Sequence, residues 1–263
     1  LTRMSSLRDW LEKKANGKQP LAMIVSDANY GNYLWNLFND FGLMSGCQAR
    51  ATLDQLVAFK TRDLRTDGPI YGATFQQHFE YHRIRLAVTG TNIETGETKL
   101  FTVDETPEFR VADAVRISMS FPFVFKPVVI PEGKYKGTWL DGGLLNNIPI
   151  HAFDPPPGGI INDHILGIRL EGTERRSVTD FMSYCSAFLG TVFGAGETLQ
   201  MRTQKELDQS LIIDTGELDT LDFDPDKEVL REAISRAAEE VMFYFYGGRV
   251  KAKPTKRYPP EKA

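Results

Sequence analysis

Apolar positions recur along the chain at two spacings, and each spacing predicts an element. Leu7, Trp10 and Leu11 stand at i, i+3 and i+4. Tyr33, Leu34, Leu37, Phe38 and Phe41 repeat that spacing up to Gly42. Both runs read as amphipathic helices, separated by the turn cluster Asn16-Gly17-Lys18-Gln19-Pro20. Thr52-Leu53-Asp54-Gln55-Leu56-Val57 predicts a further helix with Thr52 near its cap. The period then drops to two. Arg83-Ile84-Arg85-Leu86-Ala87-Val88-Thr89 alternates, Glu94-Thr95-Gly96 can turn, and Lys99-Leu100-Phe101-Thr102-Val103 returns. That is a hairpin with a glycine available for the left-handed position. Val111 to Met119 predicts a short helix, ended by Pro122 and Pro127.

Downstream, Val128-Val129-Ile130 and Gly137-Thr138-Trp139-Leu140 are short strands, the second punctuated by Asp141-Gly142-Gly143. Asp154-Pro155-Pro156-Pro157-Gly158-Gly159 is an exposed loop. His164-Ile165-Leu166-Gly167-Ile168-Arg169-Leu170 is nearly continuously apolar, as a buried parallel strand would be. Residues 178–209 read as helical, and Leu211-Ile212-Ile213-Asp214-Thr215 as a strand. The last helix has Asp224 as cap, Pro225 in its first turn, and one apolar stripe of Val229, Leu230, Ala233, Ile234, Ala237, Val241, Met242 and Phe245. Gly247-Gly248 ends it. Strands and helices alternate, so the class is α/β. The expected organisation is one domain over 1–248, followed by an extended, mobile tail over 249–263.

Composition narrows the classes. With 263 residues and 41% hydrophobic content, the chain can build one full-sized core. The 31 basic and 35 acidic residues leave a net charge of −4, without the basic excess that advertises nucleic acid. No apolar run is long enough to span a membrane. The start, Leu1-Thr2-Arg3-Met4-Ser5-Ser6, lacks both the apolar stretch of a secretory signal and an initiator Met. The chain therefore reads as trimmed, and a cytoplasmic or peripheral-membrane setting is favoured. Cys47 and Cys185 make neither a disulfide framework nor a zinc quartet, and each is expected as a buried apolar thiol. The tail is the exception in charge. Six basic residues (Arg249, Lys251, Lys253, Lys256, Arg257, Lys262) and one acid (Glu261) give it +5, leaving −9 for the rest.

The sharpest local feature is Trp139-Leu140-Asp141-Gly142-Gly143-Leu144-Leu145-Asn146-Asn147-Ile148-Pro149. A carboxylate leaves an apolar strand, meets two glycines, then two amides and a proline. Taken alone it reads as a strand-end turn, because Asp and Gly are turn residues anyway. Its prelude changes that reading. Ala114-Val115-Arg116-Ile117-Ser118-Met119-Ser120-Phe121-Pro122, Phe125-Lys126-Pro127 and the Asp141 block, in this order, resemble the patatin-like phospholipase family. Gly42-Leu43-Met44-Ser45-Gly46 and Leu86-Ala87-Val88-Thr89-Gly90-Thr91-Asn92 are similar to its middle section, so the resemblance covers roughly residues 35–170.

The resemblance implies a three-layer α/β/α fold with a mostly parallel central sheet, here incomplete at its N-terminus. It implies an acyl hydrolase of phospholipids or other acyl-ester lipids, working through a Ser–Asp dyad and needing no cofactor or metal. In that mechanism the serine attacks the ester carbonyl, an aspartate takes its proton, and backbone amides of a Gly-rich loop hold the oxyanion. Asp141 matches the dyad aspartate. A free carboxylate is a weak base at neutral pH, so Asp141 must be partly desolvated for that role.

The chain departs from the family at the nucleophile. No glycine is followed two residues later by serine, so the Gly-x-Ser-x-Gly elbow is absent, and so is the Gly-rich loop before it. This chain alone is therefore expected to be inactive on esters. Gly42-Leu43-Met44-Ser45-Gly46 is the nearest match, but the periodicity puts a helix before Ser45 where an elbow needs a strand. Ser118 and Ser120 read as structural. His78 and His82 lie at i, i+4 without the intervening Glu of a zincin helix, and neither His151 nor His164 has metal spacing. Gly194-Ala195-Gly196 reads as close helix packing. Three functions compete: a lipid acyl hydrolase, a non-catalytic lipid- or protein-binding module of the same family, and an unrelated α/β domain with a chance Asp-Gly-Gly. The last loses if Asp141 ends a central strand.

Overall fold

A computed structural model describes residues 31–63, 68–154, 164–172, 178–179, 181–200, 208–216, 218 and 226–246. The chain divides into two compact units, one built from residues 24–152 and 191–197, the other from the remainder. The expected helix at residues 7–11, the proline loop at 155–159 and the cap at Asp224 lie outside the described residues.

The first unit opens with α1 (Gly31–Asn39), β1 (Gly42–Met44) and α2 (Cys47–Lys60). β2 (Arg62–Asp63) and β3 (Gly68–Pro69) form a small antiparallel pair. α3 (Phe75–His82), β4 (Ala87–Asn92), β5 (Glu97–Thr102), α4 (Val111–Ser118), β6 (Phe123–Phe125), β7 (Val128–Ile130), β8 (Gly137–Asp141) and α5 (Gly143–Asn146) follow. Strands β5-β4-β8-β7 make a four-stranded antiparallel sheet, in which β8 is interior. The connections explain its sense: β4–β5 and β7–β8 are joined by short turns that can link only antiparallel neighbours. Gly96 takes φ 71 in the first of these turns, as the hairpin pattern required. β1 pairs in parallel with β6, far along the chain.

The core lies between α4 and this sheet. Phe75, Phe101, Val111, Ala114, Ile117 and Trp139 form one buried cluster, with Phe101 and Trp139 edge-to-face at 5.4 Å. Gly90 makes the close approach feasible: a Cβ there would overlap Ile117. α3 begins in a capping box, where the Gln77 N–H donates to Thr74 Oγ1 at 3.2 Å and the Thr74 N–H donates to Gln77 Oε1 at 3.0 Å.

Several boundaries differ from the periodicity. α1 ends at Asn39, and Phe41 (φ 58) turns the chain into β1 rather than continuing the helix. Trp35, Phe38 and Phe41 are exposed. α2 starts at Cys47, not near Thr52, because the Gly46 carbonyl already accepts from the Arg50 N–H at 2.9 Å. β4 starts at Ala87, since Arg83 (φ 57) closes α3 in the left-handed region. Cys47 is exposed and Cys185 half-buried, so neither is the fully buried thiol expected; the partial burial of Cys185 raises its pKa.

In the second unit, β9 (Gly167–Gly172) and β10 (Ser210–Gly216) form a parallel pair. The parallel sense matches the pattern, but burial on both faces does not: Ile168 and Leu170 are exposed, so β9 alternates. α6 (Phe181–Gln200) occupies the predicted helical stretch, and its residues Thr191–Glu197 belong to the first unit. α7 (Lys227–Tyr246) packs on β10. The Asp226 carboxylate accepts from the Glu228 N–H at 2.7 Å and stabilises the start of α7.

Candidate active site

β8 delivers Asp141 as its last residue, paired across the sheet with Gly90 of β4. Trp139 is drawn into the core two positions earlier, and the strand's alternation sets the register of the carboxylate. The chain then folds sharply. Gly142 lies against Thr89 so closely that a Cβ would overlap the Thr89 side chain, and the Asn146 N–H donates to the Gly142 carbonyl at 2.8 Å. Gly143 is equally confined, by Asn147 and the ring of Phe193. Phe193 stacks on Phe121 with centroids 5.2 Å apart and planes 6° from parallel. Both glycines are thus required by space beside the carboxylate, not by a left-handed backbone.

Asp141 is half-buried. Its backbone N–H donates to the Ser120 carbonyl at 3.1 Å, and its Oδ1 accepts from the Gly143 N–H at 2.8 Å. Burial pushes the carboxyl from its ordinary 3.8 up to about 6, against the opposing pull of the Gly143 N–H. A carboxyl in that range is still mostly ionised at neutral pH, yet is a far stronger base than an exposed aspartate.

Behind it stands Arg116, buried and without an acidic partner among the described residues. Its guanidinium donates to Ser120 Oγ at 2.6 Å, to the Ser45 carbonyl at 2.7 Å and to the Lys126 carbonyl at 2.7 Å. Ser120 Oγ in turn donates to the Arg116 carbonyl at 2.8 Å. The Phe125 ring lies 5.7 Å from the guanidinium carbon. Desolvation lowers the Arg116 pKa. Neither residue is marked in the sequence: Arg116 reads as an ordinary helix arginine, with Asp113 in the same helix, and Phe193 lies some fifty residues beyond Asp141.

The other candidates fall differently. Ser120 is fully buried and engaged with Arg116. Ser45 follows strand β1 and precedes α2, so the expected helix before it is replaced by a strand–turn–helix, with Gly46 at φ 67. Its Oγ accepts from the Cys47 N–H at 3.4 Å and does not bond to Asp141. Among the described residues, no hydroxyl hydrogen-bonds the Asp141 carboxylate, and no group of three or more His, Cys, Asp or Glu could hold a metal. His78 and His82 lie 4.8 Å apart on α3, and burial together with His82 lowers the pKa of His78.

An α/β protein whose interior strand ends on a half-buried carboxylate, backed by a tight double-glycine turn, is what fold and site define. The family model for patatin-like phospholipase matches residues 10–154, and the chain belongs to that family. An uncharacterized protein of Acanthamoeba polyphaga mimivirus is 28% identical over 203 residues, covering 74% of this chain and 61% of that one. A probable lipid hydrolase of Invertebrate iridescent virus 6 is 33% identical over 78 residues, or 29% of this chain and 25% of that one. Among solved structures, VipD from Legionella pneumophila aligns with a TM-score of 0.43 at 19% identity, over 69% of this chain and 36% of VipD. The chain spans 61% of the length of the mimivirus relative and a quarter of the iridescent-virus one. The family is in general one of serine acyl hydrolases. No helix among the described residues is long and apolar enough to cross a membrane.

Proposed function

We propose that Asp141 is the general base of a Ser–Asp dyad that hydrolyses acyl esters of phospholipids or related lipids. The observation that carries this reading is a carboxyl raised to about 6 at the end of interior strand β8. In the proposed step the Asp141 carboxylate takes the serine proton as the hydroxyl attacks the ester carbonyl. The same proton then passes to the leaving alcohol, and water repeats the cycle on the acyl-enzyme. With no Gly-x-Ser-x-Gly in these 263 residues, the attacking serine comes from outside them, and the chain alone is inactive. The basic segment 249–263 is assigned to the lipid surface.

Hydrolysis of a p-nitrophenyl ester tests both halves. The chain alone is expected to match its Asp141→Asn variant at background. In a protein that also carries the serine-bearing elbow, activity is expected to rise with deprotonation near pH 6. Asp141→Asn there is expected to lower kcat by about 10²–10⁴. Hydrolysis by the chain alone that Asp141→Asn abolishes would move the nucleophile inside the chain and make Ser45 the first suspect. The missing elbow also favours a second reading, a non-catalytic lipid- or protein-binding module. It gains if the elbow-bearing protein is inactive while its Asp141 carboxyl still titrates near 6 by NMR.

A further inference from the structure

Among the described residues, three non-glycine positions take a left-handed backbone: Phe41, Arg83 and Phe123. Phe41 and Arg83 stand just past the ends of α1 and α3, where that conformation is a common way to stop a helix. Phe123 (φ 66) ends no helix. It is the third residue of a turn over Phe121–Val124, closed by the Val124 N–H donating to the Phe121 carbonyl at 3.2 Å, with Pro122 in second place. Such a type II turn calls for glycine in third place, and an L side chain there carries a steric penalty. The fold recovers little from this side chain. Val124 is buried, so alternation along β6 turns Phe123 outward, where it is 46% exposed. A strained backbone that holds up an apolar ring the fold leaves uncovered points to a ligand rather than to packing.

The position of the ring identifies the ligand. Ser120, whose carbonyl accepts from the Asp141 N–H at 3.1 Å, lies three residues before Phe123, so their Cα atoms are no more than about 11 Å apart. Phe121, between them, stacks on Phe193, and Phe193 abuts Gly143 beside the carboxylate. Across the parallel pair Phe123 meets Gly42, which follows the exposed Phe41. Aromatic rings therefore follow one another away from Asp141. We propose that Phe123 is the contact for the distal carbons of a long acyl chain whose ester carbonyl lies at Asp141, and that it sets a preference for long-chain over short-chain lipids. This rests on the hydrolase reading above and names the acyl length that the site selects. An acetyl group is too short to span the separation and gains nothing from the ring. A decanoyl chain reaches it and covers its exposed part.

Isothermal titration of the full chain tests this, with 1-decanoylglycerol below the concentration at which it aggregates, and with 1-acetylglycerol. Both are uncharged, so the Asp141 carboxylate repels neither. The unchanged chain is expected to bind the decanoyl ester and to give no binding heat with the acetyl one. Phe123→Ala and Phe123→Gly are each expected to weaken decanoyl binding about three- to tenfold, the effect of no longer covering the exposed part of a phenylalanine side chain. Urea unfolding separates strain from damage. Phe123→Gly is expected to fold with an equilibrium constant about two- to fivefold larger than Phe123→Ala, because only glycine relieves the left-handed turn. The two variants then bind equally weakly although one is the more stable, which a purely structural role does not give. Absence of decanoyl binding by the unchanged chain, or equal binding by Phe123→Ala, would overturn the proposal. So would an acetyl ester bound as tightly as the decanoyl one, or a Phe123→Gly no more stable than Phe123→Ala. Asp141→Asn is expected to bind the decanoyl ester like the unchanged chain. Decanoyl binding with no ester hydrolysis by the elbow-bearing protein would sink the hydrolase reading and leave the acyl contact standing, so the two failures are read separately.

Discussion

Asp141→Asn isolates what the carboxylate does to the fold. Asparagine keeps the volume and leaves an oxygen for the Gly143 N–H, which Asp141 Oδ1 accepts at 2.8 Å, and it removes the titration. Between 3.8 and about 6 the folded chain holds a proton on Asp141 that the unfolded chain releases. Stability is therefore lost as pH rises through that window, and the full penalty stands above about 6. At about 1.4 kcal/mol per pH unit, the span from 3.8 to about 6 is worth about 3 kcal/mol at neutral pH. The same relation gives about half of that near pH 5 and about 0.5 kcal/mol near pH 4. Asp141→Asn escapes all of it. Urea unfolding followed by tryptophan fluorescence should show the variant more stable by about 3 kcal/mol at neutral pH, converging on the unchanged chain near pH 4. In thermal melts the neutral-pH gain corresponds to roughly 6–12 °C for a chain of this size. A gain independent of pH, or a variant less stable at neutral pH, would refute the placement of a strained carboxylate in this turn.

Three further substitutions probe the frame around the site. Arg116→Met removes the donor to Ser120 Oγ and to the Ser45 and Lys126 carbonyls. The buried acceptors it strands should cost roughly 3–5 kcal/mol, measured by urea midpoint. Gly46→Ala meets both a positive φ of 67 and the Arg116 guanidinium; a loss of about 2 kcal/mol or more in the same measurement is expected, above the 1–2 kcal/mol of the backbone alone. Thr74→Ala breaks the capping box of α3 and should cost about 1 kcal/mol, read as an equal fall in unfolding free energy with unchanged m.

Strong local patterns predicted their elements well, and elements set by distant partners were not predicted. The β4–β5 hairpin, α4 and the strand leading into Asp141 each had alternation or helical spacing plus a glycine or proline stop, so their positions could be read along the chain. β1 is three residues long and gains its partner β6 about eighty residues later, so no local periodicity announces it. That is why Ser45 was expected behind a helix and is found behind a strand. α2 starts five residues early because Gly46 in the left-handed region supplies the turn, with no polar cap to mark it. α7 showed the reverse failure: its apolar positions were counted correctly, but a helical wheel cannot tell a stripe that faces β10 from one that faces solvent. Asp141 was nameable because its neighbours are unusual, whereas Arg116 looked like an ordinary helix residue until its burial was visible.

The relation between those two residues explains how the site can hold a carboxyl near 6 at all. Direct pairing with a buried arginine would favour the ionised form and drive the carboxyl below its ordinary range, leaving a feeble base. Here the cation is kept one step removed. Arg116 is satisfied by Ser120 Oγ and two carbonyls, while the Ser120 carbonyl accepts from the Asp141 backbone N–H. The arginine thus fixes the main chain on which Asp141 sits, and the influences on the carboxyl itself reduce to burial and one N–H from Gly143. Arg116→Met should therefore loosen the turn without a matching rise in the basicity of Asp141. Position is supplied by a buried cation and basicity by desolvation, and the Phe121–Phe193 stack beside Gly143 helps to keep water from cancelling the second.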